Sequence, residues 1–178
     1  GRMVAILAGL DDVPGVTVNR YCSSSLQTIR MAAHAIRAGE GDCFIAAGVE
    51  TVSRYGSGAS DSAPNAIFKD PSVRTRARAE GGAPVWTPAT GLPDAYIAMG
   101  QTAENVVQVE GVSREDMDHF GVRSHNLAVA HQENGFFERE ITPITLPDGT
   151  VVSKDDGPRA GTTYEATSQL KPVFRPDG

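Results

Sequence analysis

Between Ser23 and Ala38 the apolar residues Leu26, Ile29, Ala33 and Ile36 recur at helical spacing, while Gln27, Arg30, His34 and Arg37 fall on the other side. That stripe predicts an amphipathic helix with its apolar side buried. Gly39 follows as its stop signal, and Arg37 in the last turn complements the negative end of the helix dipole. A β-branched run, Val16-Thr17-Val18, comes just before the helix. Just after it, Cys43-Phe44-Ile45-Ala46-Ala47-Gly48-Val49 is apolar at successive positions, the pattern of a central parallel strand covered on both faces. Met3-Val4-Ala5-Ile6-Leu7-Ala8-Gly9 reads as the end of a helix. The order up to about Glu50 is then helix, strand, helix, strand, which predicts a layered α/β core.

The pattern changes twice beyond that point. Residues 55–93 are rich in Gly, Ser, Ala and Pro and carry no sustained period, so they read as a long loop with room for one short helix. Residues 95–167 read as a mostly helical excursion. One helix covers 97–110 and is ended by Gly111; a longer one covers 114–133 and is ended by Gly135. Ser113 and Asp116 form a capping box for the second, and Met117, Phe120, Leu127, Val129 and Ala130 give it an apolar side. Short strands at 141–146 and 151–153 flank a Pro147-Asp148-Gly149 turn.

Composition narrows the chemistry. The 178 residues are 40% hydrophobic, enough for a core of one to two domains. A net charge of −6 and a pI near 5.2 argue against nucleic acid as a partner, since phosphate neutralisation needs a basic face. No apolar run reaches the ~18 residues of a membrane helix, and no signal peptide is visible. Two cysteines without a disulfide framework suit a reducing cytosol. The four histidines lack zinc-site spacing, so surface or packing roles are expected and no metal is called for. No Gly-x-Ser-x-Gly elbow occurs, and Gly56-Ser57-Gly58 lacks the following Lys of a phosphate-cradling loop. The basic cluster Arg74-Thr75-Arg76-Ala77-Arg78 is either a phosphate contact or a solvated loop face.

Cys22 stands out because it lies where the β-branched run meets the helix, in Asn19-Arg20-Tyr21-Cys22-Ser23-Ser24-Ser25-Leu26. A thiol at a helix start faces unpaired N–H groups and the positive end of the dipole, which favour the nucleophilic thiolate; Arg20 adds a nearby cation. The alternative is a small buried hydrophobe. Cys43, inside an apolar run with no helix start beside it, reads as structural.

Val18-Asn19-Arg20-Tyr21-Cys22, Leu26-Gln27, Ala35-Ile36-Arg37-Ala38-Gly39-Glu40-Gly41-Asp42 and Ala47-Gly48-Val49-Glu50-Thr51-Val52-Ser53-Arg54 resemble the nucleophile segment of thiolases, the acetyl-CoA acyltransferases. Met99-Gly100-Gln101-Thr102-Ala103-Glu104-Asn105-Val106, Ser113-Arg114-Glu115-Asp116, Ser124-His125-Asn126, Glu140-Ile141-Thr142-Pro143, Asp155-Asp156-Gly157-Pro158-Arg159 and Leu170-Lys171-Pro172-Val173-Phe174 follow in the order thiolases have them. The resemblance covers nearly the whole chain and is weakest over residues 55–90. The family's Gly-His-Pro and second Cys-Gly-Gly-Gly-like segments do not occur, so the sequence is expected to be a thiolase fragment without the C-terminal domain, inactive in turnover by itself.

The resemblance implies a partial, layered α/β thiolase core with an inserted, mostly helical loop domain. Residues 1–54 would be part of the core with the nucleophile, 55–168 the domain that covers coenzyme A, and 169–178 the return to the core. It implies thiolytic cleavage of a 3-ketoacyl-CoA to acetyl-CoA and a shortened acyl-CoA through an acyl-cysteine on Cys22. Alternatives are a biosynthetic acetoacetyl-CoA thiolase or a noncatalytic CoA-binding module. Leu92 and Met99 would line the pantetheine and acyl channel. Arg159 would meet the nucleotide end of coenzyme A, with Phe174 as apolar wall or else as ordinary packing. No cofactor is implied beyond coenzyme A as substrate, and the expected partners are acyl-CoA, coenzyme A and further copies of the chain, as a dimer or tetramer in the cytoplasm. Ala98, where short-chain members tend to have histidine, leaves room for a larger acyl group. Ser25 stands where many members have glycine, which puts local packing in question. The Tyr21-Cys22-Ser23-Ser24-Ser25 and Leu146-Pro147-Asp148-Gly149 patterns look most like actinobacterial degradative thiolases.

Overall fold

The computed structural model describes residues 1–52 and 65–178. Two units divide the chain, Gly1–Asp61 and Ser62–Gly178. The expected boundary at residues 54 and 55, and the Gly56-Ser57-Gly58 segment, lie outside the described residues.

The first unit holds helices α1 (Arg2–Leu7) and α2 (Ser24–Ala38). Arg2 ties α1 to the segment behind it, donating to the carbonyls of Val13 and Asp11, both at 2.8 Å. Helix α2 starts and stops where its sequence predicts. At its end Gly39 adopts φ 75°, and the amides of Gly39 and Glu40 return to the carbonyls of Ile36 and Ala35, closing the last turn in a Schellman arrangement. Its apolar side does not follow expectation: Leu26 is 67% and Ile29 55% exposed. The two expected strands are also absent, since residues 16–18 and 43–49 form no ladder. A central parallel strand exists only through hydrogen bonds to neighbours on both edges, and among the described residues nothing pairs with these segments. For the same reason Cys43, read as structural, is exposed.

The second unit contains α3 (Lys69–Ala79), preceded by a 3-10 turn at Ala66–Phe68, then α4 (Met99–Glu110), α5 (Arg114–Glu133), a 3-10 turn at Phe137–Arg139, the hairpin of β1 (Ile144–Thr145) and β2 (Val151–Val152), and α6 (Tyr164–Thr167). The cap of α5 forms as its sequence predicts: Ser113 Oγ accepts the Asp116 amide at 3.0 Å and donates to the Asp116 carboxylate at 2.6 Å. The hairpin pairs Ile144 with Val152 and Thr145 with Val151 and is shorter than its apolar pattern suggested. Helix α3 occupies part of the expected loop and is held by its arginines rather than by an apolar stripe.

The most buried side chains of this unit are polar. Arg175 is 4% exposed, and Arg78, Gln101 and Asn105 are each 7% exposed; no apolar side chain among the described residues is fully buried. Asn105 Oδ1 accepts from Arg175 Nη2 at 2.8 Å and from Arg78 Nε at 3.2 Å. Arg78 also donates to the Pro84 carbonyl at 2.8 Å and to Gln108. Burial, reinforced by the charges of Arg175 and Arg74, pushes the Arg78 guanidinium below its ordinary value. This network joins α3, residues 83–84, α4 and the segment after Lys171. The loop-face reading of the basic cluster is thereby corrected for Arg78: a buried guanidinium needs its donors satisfied, and these carbonyls and amides satisfy them.

Candidate active site

Cys22 lies one residue before the N-cap Ser23 of α2, outside the first turn proper. The turn that delivers it is built by short polar side chains. Asn19 Oδ1 accepts the Tyr21 amide at 3.0 Å, and Ser24 Oγ accepts the Arg20 amide at 2.8 Å while donating to the Tyr21 carbonyl at 2.7 Å. Tyr21, immediately before the cysteine, has φ 49°, the one non-glycine residue with positive φ among those described. A bulky side chain in that region is strained, and such strain concentrates where a side chain must be aimed. The sequence carries no sign of it, because Tyr is not a residue that favours this conformation. Cys22 is a free, exposed thiol, and a backbone bridge links it to Arg20. Arg20 donates to Gln27 Oε1 at 2.9 Å, a neutral partner that leaves its charge uncancelled.

Ser25 resolves the packing question raised by its sequence. A Cβ on Gly48 would stand 2.1 Å from Ser25 Oγ. The hydroxyl therefore fills the space above Gly48, which sits in the segment expected as a strand.

In the second unit Met99 opens α4, exposed, after the extended and exposed Ala98. The Phe174 ring rests on the next residue: a Cβ on Gly100 would fall 2.1 Å from it. Gln101 fixes this approach, its amide donating to the Phe174 carbonyl at 2.6 Å and its Oε1 accepting Arg175 Nε at 2.8 Å. The structure thus brings Met99 and Phe174 together, 75 residues apart, through glycine and a buried glutamine that sequence reasoning did not single out. Leu92 lies exposed in the irregular stretch before α4. Arg159 is placed separately, on the flank of α5, where its amide donates to His125 Nδ1 at 3.1 Å. Its guanidinium makes no ion pair among the described residues. The packing expected of the histidines holds for three of them: His119 stacks on Tyr164 with centroids 4.3 Å apart, His131 leans on Phe136 and Phe137, and His125 binds a backbone amide.

No group of His, Cys, Asp and Glu among the described residues could hold a metal ion, and no described helix is long and apolar enough to cross a membrane.

Known proteins agree on the family. Residues 1–178 match the family described as "Thiolase, N-terminal domain". The chain belongs to the thiolase family. The β-ketoadipyl-CoA thiolase of Acinetobacter baylyi is 42% identical over 100% of this chain and 45% of its own length. An acetyl-CoA acetyltransferase of Pseudomonas aeruginosa is 39% identical over 99% and 44%. Among solved structures, the dimeric peroxisomal thiolase of Saccharomyces cerevisiae superposes with a TM-score of 0.75 at 30% identity, covering 97% of this chain and 40% of that one. The fold is therefore the thiolase α/β fold, and the chain spans less than half the length of the thiolases it matches.

Proposed function

We propose that Cys22 is the acyl-accepting nucleophile of a degradative thiolase, which cleaves a 3-ketoacyl-CoA with coenzyme A into acetyl-CoA and a shortened acyl-CoA. One observation carries this reading: a free, exposed thiol set between a strained tyrosine and the cap of a 15-residue helix. The Cys22 thiolate adds to the C3 ketone, and the Cys22 amide donates to the oxygen that gains charge. The bond between C2 and C3 then breaks. Its electron pair remains on C2 of the departing acetyl-CoA, which takes a proton, and the acyl group stays on sulfur as a thioester. The thiol of coenzyme A attacks that thioester, releasing the shortened acyl-CoA and restoring Cys22. The acid and base for the carbon, the base for the sulfur and a second oxyanion donor are assigned to the part of a full-length thiolase outside residues 1–178.

The exposure of Leu92, Met99, Arg159 and Phe174 supports their assignment to coenzyme A and the acyl chain, with the unpaired Arg159 at the phosphate end. The small, exposed Ala98 at the start of α4 supports a broad acyl range. A homo-oligomer is supported by the dimeric yeast relative, and a cytoplasmic setting by the two free thiols. We assign the pathway role to breakdown of fatty acyl or similar chains. A second reading, biosynthetic condensation of two acetyl groups, draws support from the similarity to the Pseudomonas acetyl-CoA acetyltransferase.

Thiolysis assays on the full-length protein separate the readings. Cleavage of long or bulky 3-ketoacyl-CoAs, lost by about a thousandfold or more in Cys22→Ser, is the expected result. Activity confined to acetoacetyl-CoA favours the biosynthetic reading. No turnover with any acyl-CoA leaves only a noncatalytic CoA-binding module and overturns the proposal.

A further inference from the structure

We infer that His125 is a positioning residue for Arg159, holding the backbone of the arginine so that its guanidinium meets the anionic end of coenzyme A; this rests on the assignment of Arg159 made above.

Arg159 lies in an irregular stretch between Gly157 and Gly161, the latter at φ 72°. Such a stretch cannot by itself hold a long side chain in register with a ligand. Two bonds fix the Arg159 backbone: its amide donates to His125 Nδ1 at 3.1 Å, and its carbonyl accepts the Thr162 hydroxyl at 2.8 Å. Of the two, His125 reaches across 34 residues to a helix of 20 residues with a formed cap. Neighbours on that helix hold the same stretch at its ends, Asn126 through the Thr162 carbonyl at 3.4 Å and Gln132 through the Asp155 carbonyl at 2.8 Å. His125 is thus the central of three anchors and the one that touches Arg159.

A backbone amide only donates, so His125 Nδ1 is the acceptor in this bond. An asparagine at this position places Oδ1 where Nδ1 stood and accepts the same proton, whereas alanine offers nothing. Because the bond orders a binding group and touches no reacting atom, its loss acts on coenzyme A recognition and leaves the chemical step alone.

The test is coenzyme A kinetics on the full-length enzyme. His125→Ala is expected to raise KM for coenzyme A about fivefold with kcat within about twofold, the size of one neutral hydrogen bond. His125→Asn is expected to restore KM, Arg159→Ala to raise it at least as far as His125→Ala does, and the double variant with alanine at both positions to match Arg159→Ala alone. If Arg159→Ala leaves KM unchanged, the assignment of Arg159 to coenzyme A fails and the role of His125 falls with it. If Arg159→Ala raises KM while His125→Ala does not, or asparagine fails to restore it, or the two effects multiply, the role of His125 is overturned and Arg159 keeps its assignment.

Discussion

Gly48 and Ser25 are coupled by close approach, a Cβ on Gly48 standing 2.1 Å from Ser25 Oγ. Gly48→Ala forces the Ser25 hydroxyl out of its rotamer at a cost of about 1 kcal/mol. In a Ser25→Ala background, where the oxygen is gone, the same change is expected to be nearly neutral. A double-mutant cycle read from the unfolding of the full-length protein gives the interaction energy, and purely additive effects would show that the contact is absent. At this scale the place of Cys22, just ahead of the α2 cap, was legible because the β-branched run and the serines that follow are local signals. What positions it was not. The strain at Tyr21, the Ser24 bridge and the buried Gln101 arise from contacts that no residue type announces by itself.

Helix α5 turns toward the returning chain with its polar residues. Arg114 donates to the Leu170 carbonyl at 2.8 Å and pairs with Asp118 at 3.0 Å, and His125 and Gln132 continue the same line along the helix. The apolar side read from sequence is only partly covered: Met117 and Val129 are half-buried, while Phe120 is 67% exposed. The bounds of α2, α4 and α5 were nonetheless legible, because caps and glycine stops are local signals. A short helix within residues 55–93 was expected, but the bounds of the arginine-held α3 were not legible, since periodicity registers apolar faces alone. The hairpin turn combines both kinds of signal. Gly149 takes φ 86°, and Asp148 Oδ1 accepts the Thr150 amide at 2.9 Å. Hydrogen bonding from Thr150 holds the Asp148 carboxyl below the usual carboxylate value. A carboxylate depressed in the folded state stabilises it above the unfolded value, ~3.9, and that contribution disappears as pH falls through the folded one. The Thr150 amide resonance is therefore expected to report an acid-side transition confined to the turn, and Asp148→Ala to remove it; a turn that ignores both acid and the substitution would contradict this.

Among the described residues, apolar side chains such as Leu26, Ile29 and Phe120 are exposed. The expected strands lack edge partners, and α2 shows its apolar side. The family was legible from ordered motifs while the strands did not form, because a motif is read along one segment and a sheet only with its neighbours. The role proposed for Cys22 rests on one covalent step. Incubating the full-length protein with a 3-ketoacyl-CoA in the absence of free coenzyme A, quenching in acid and mapping the adduct by mass spectrometry tests that step directly. The account predicts one acyl group, on Cys22, removed by added coenzyme A. An acyl group on Cys43 or on any other side chain, or no adduct alongside continued turnover, would contradict it.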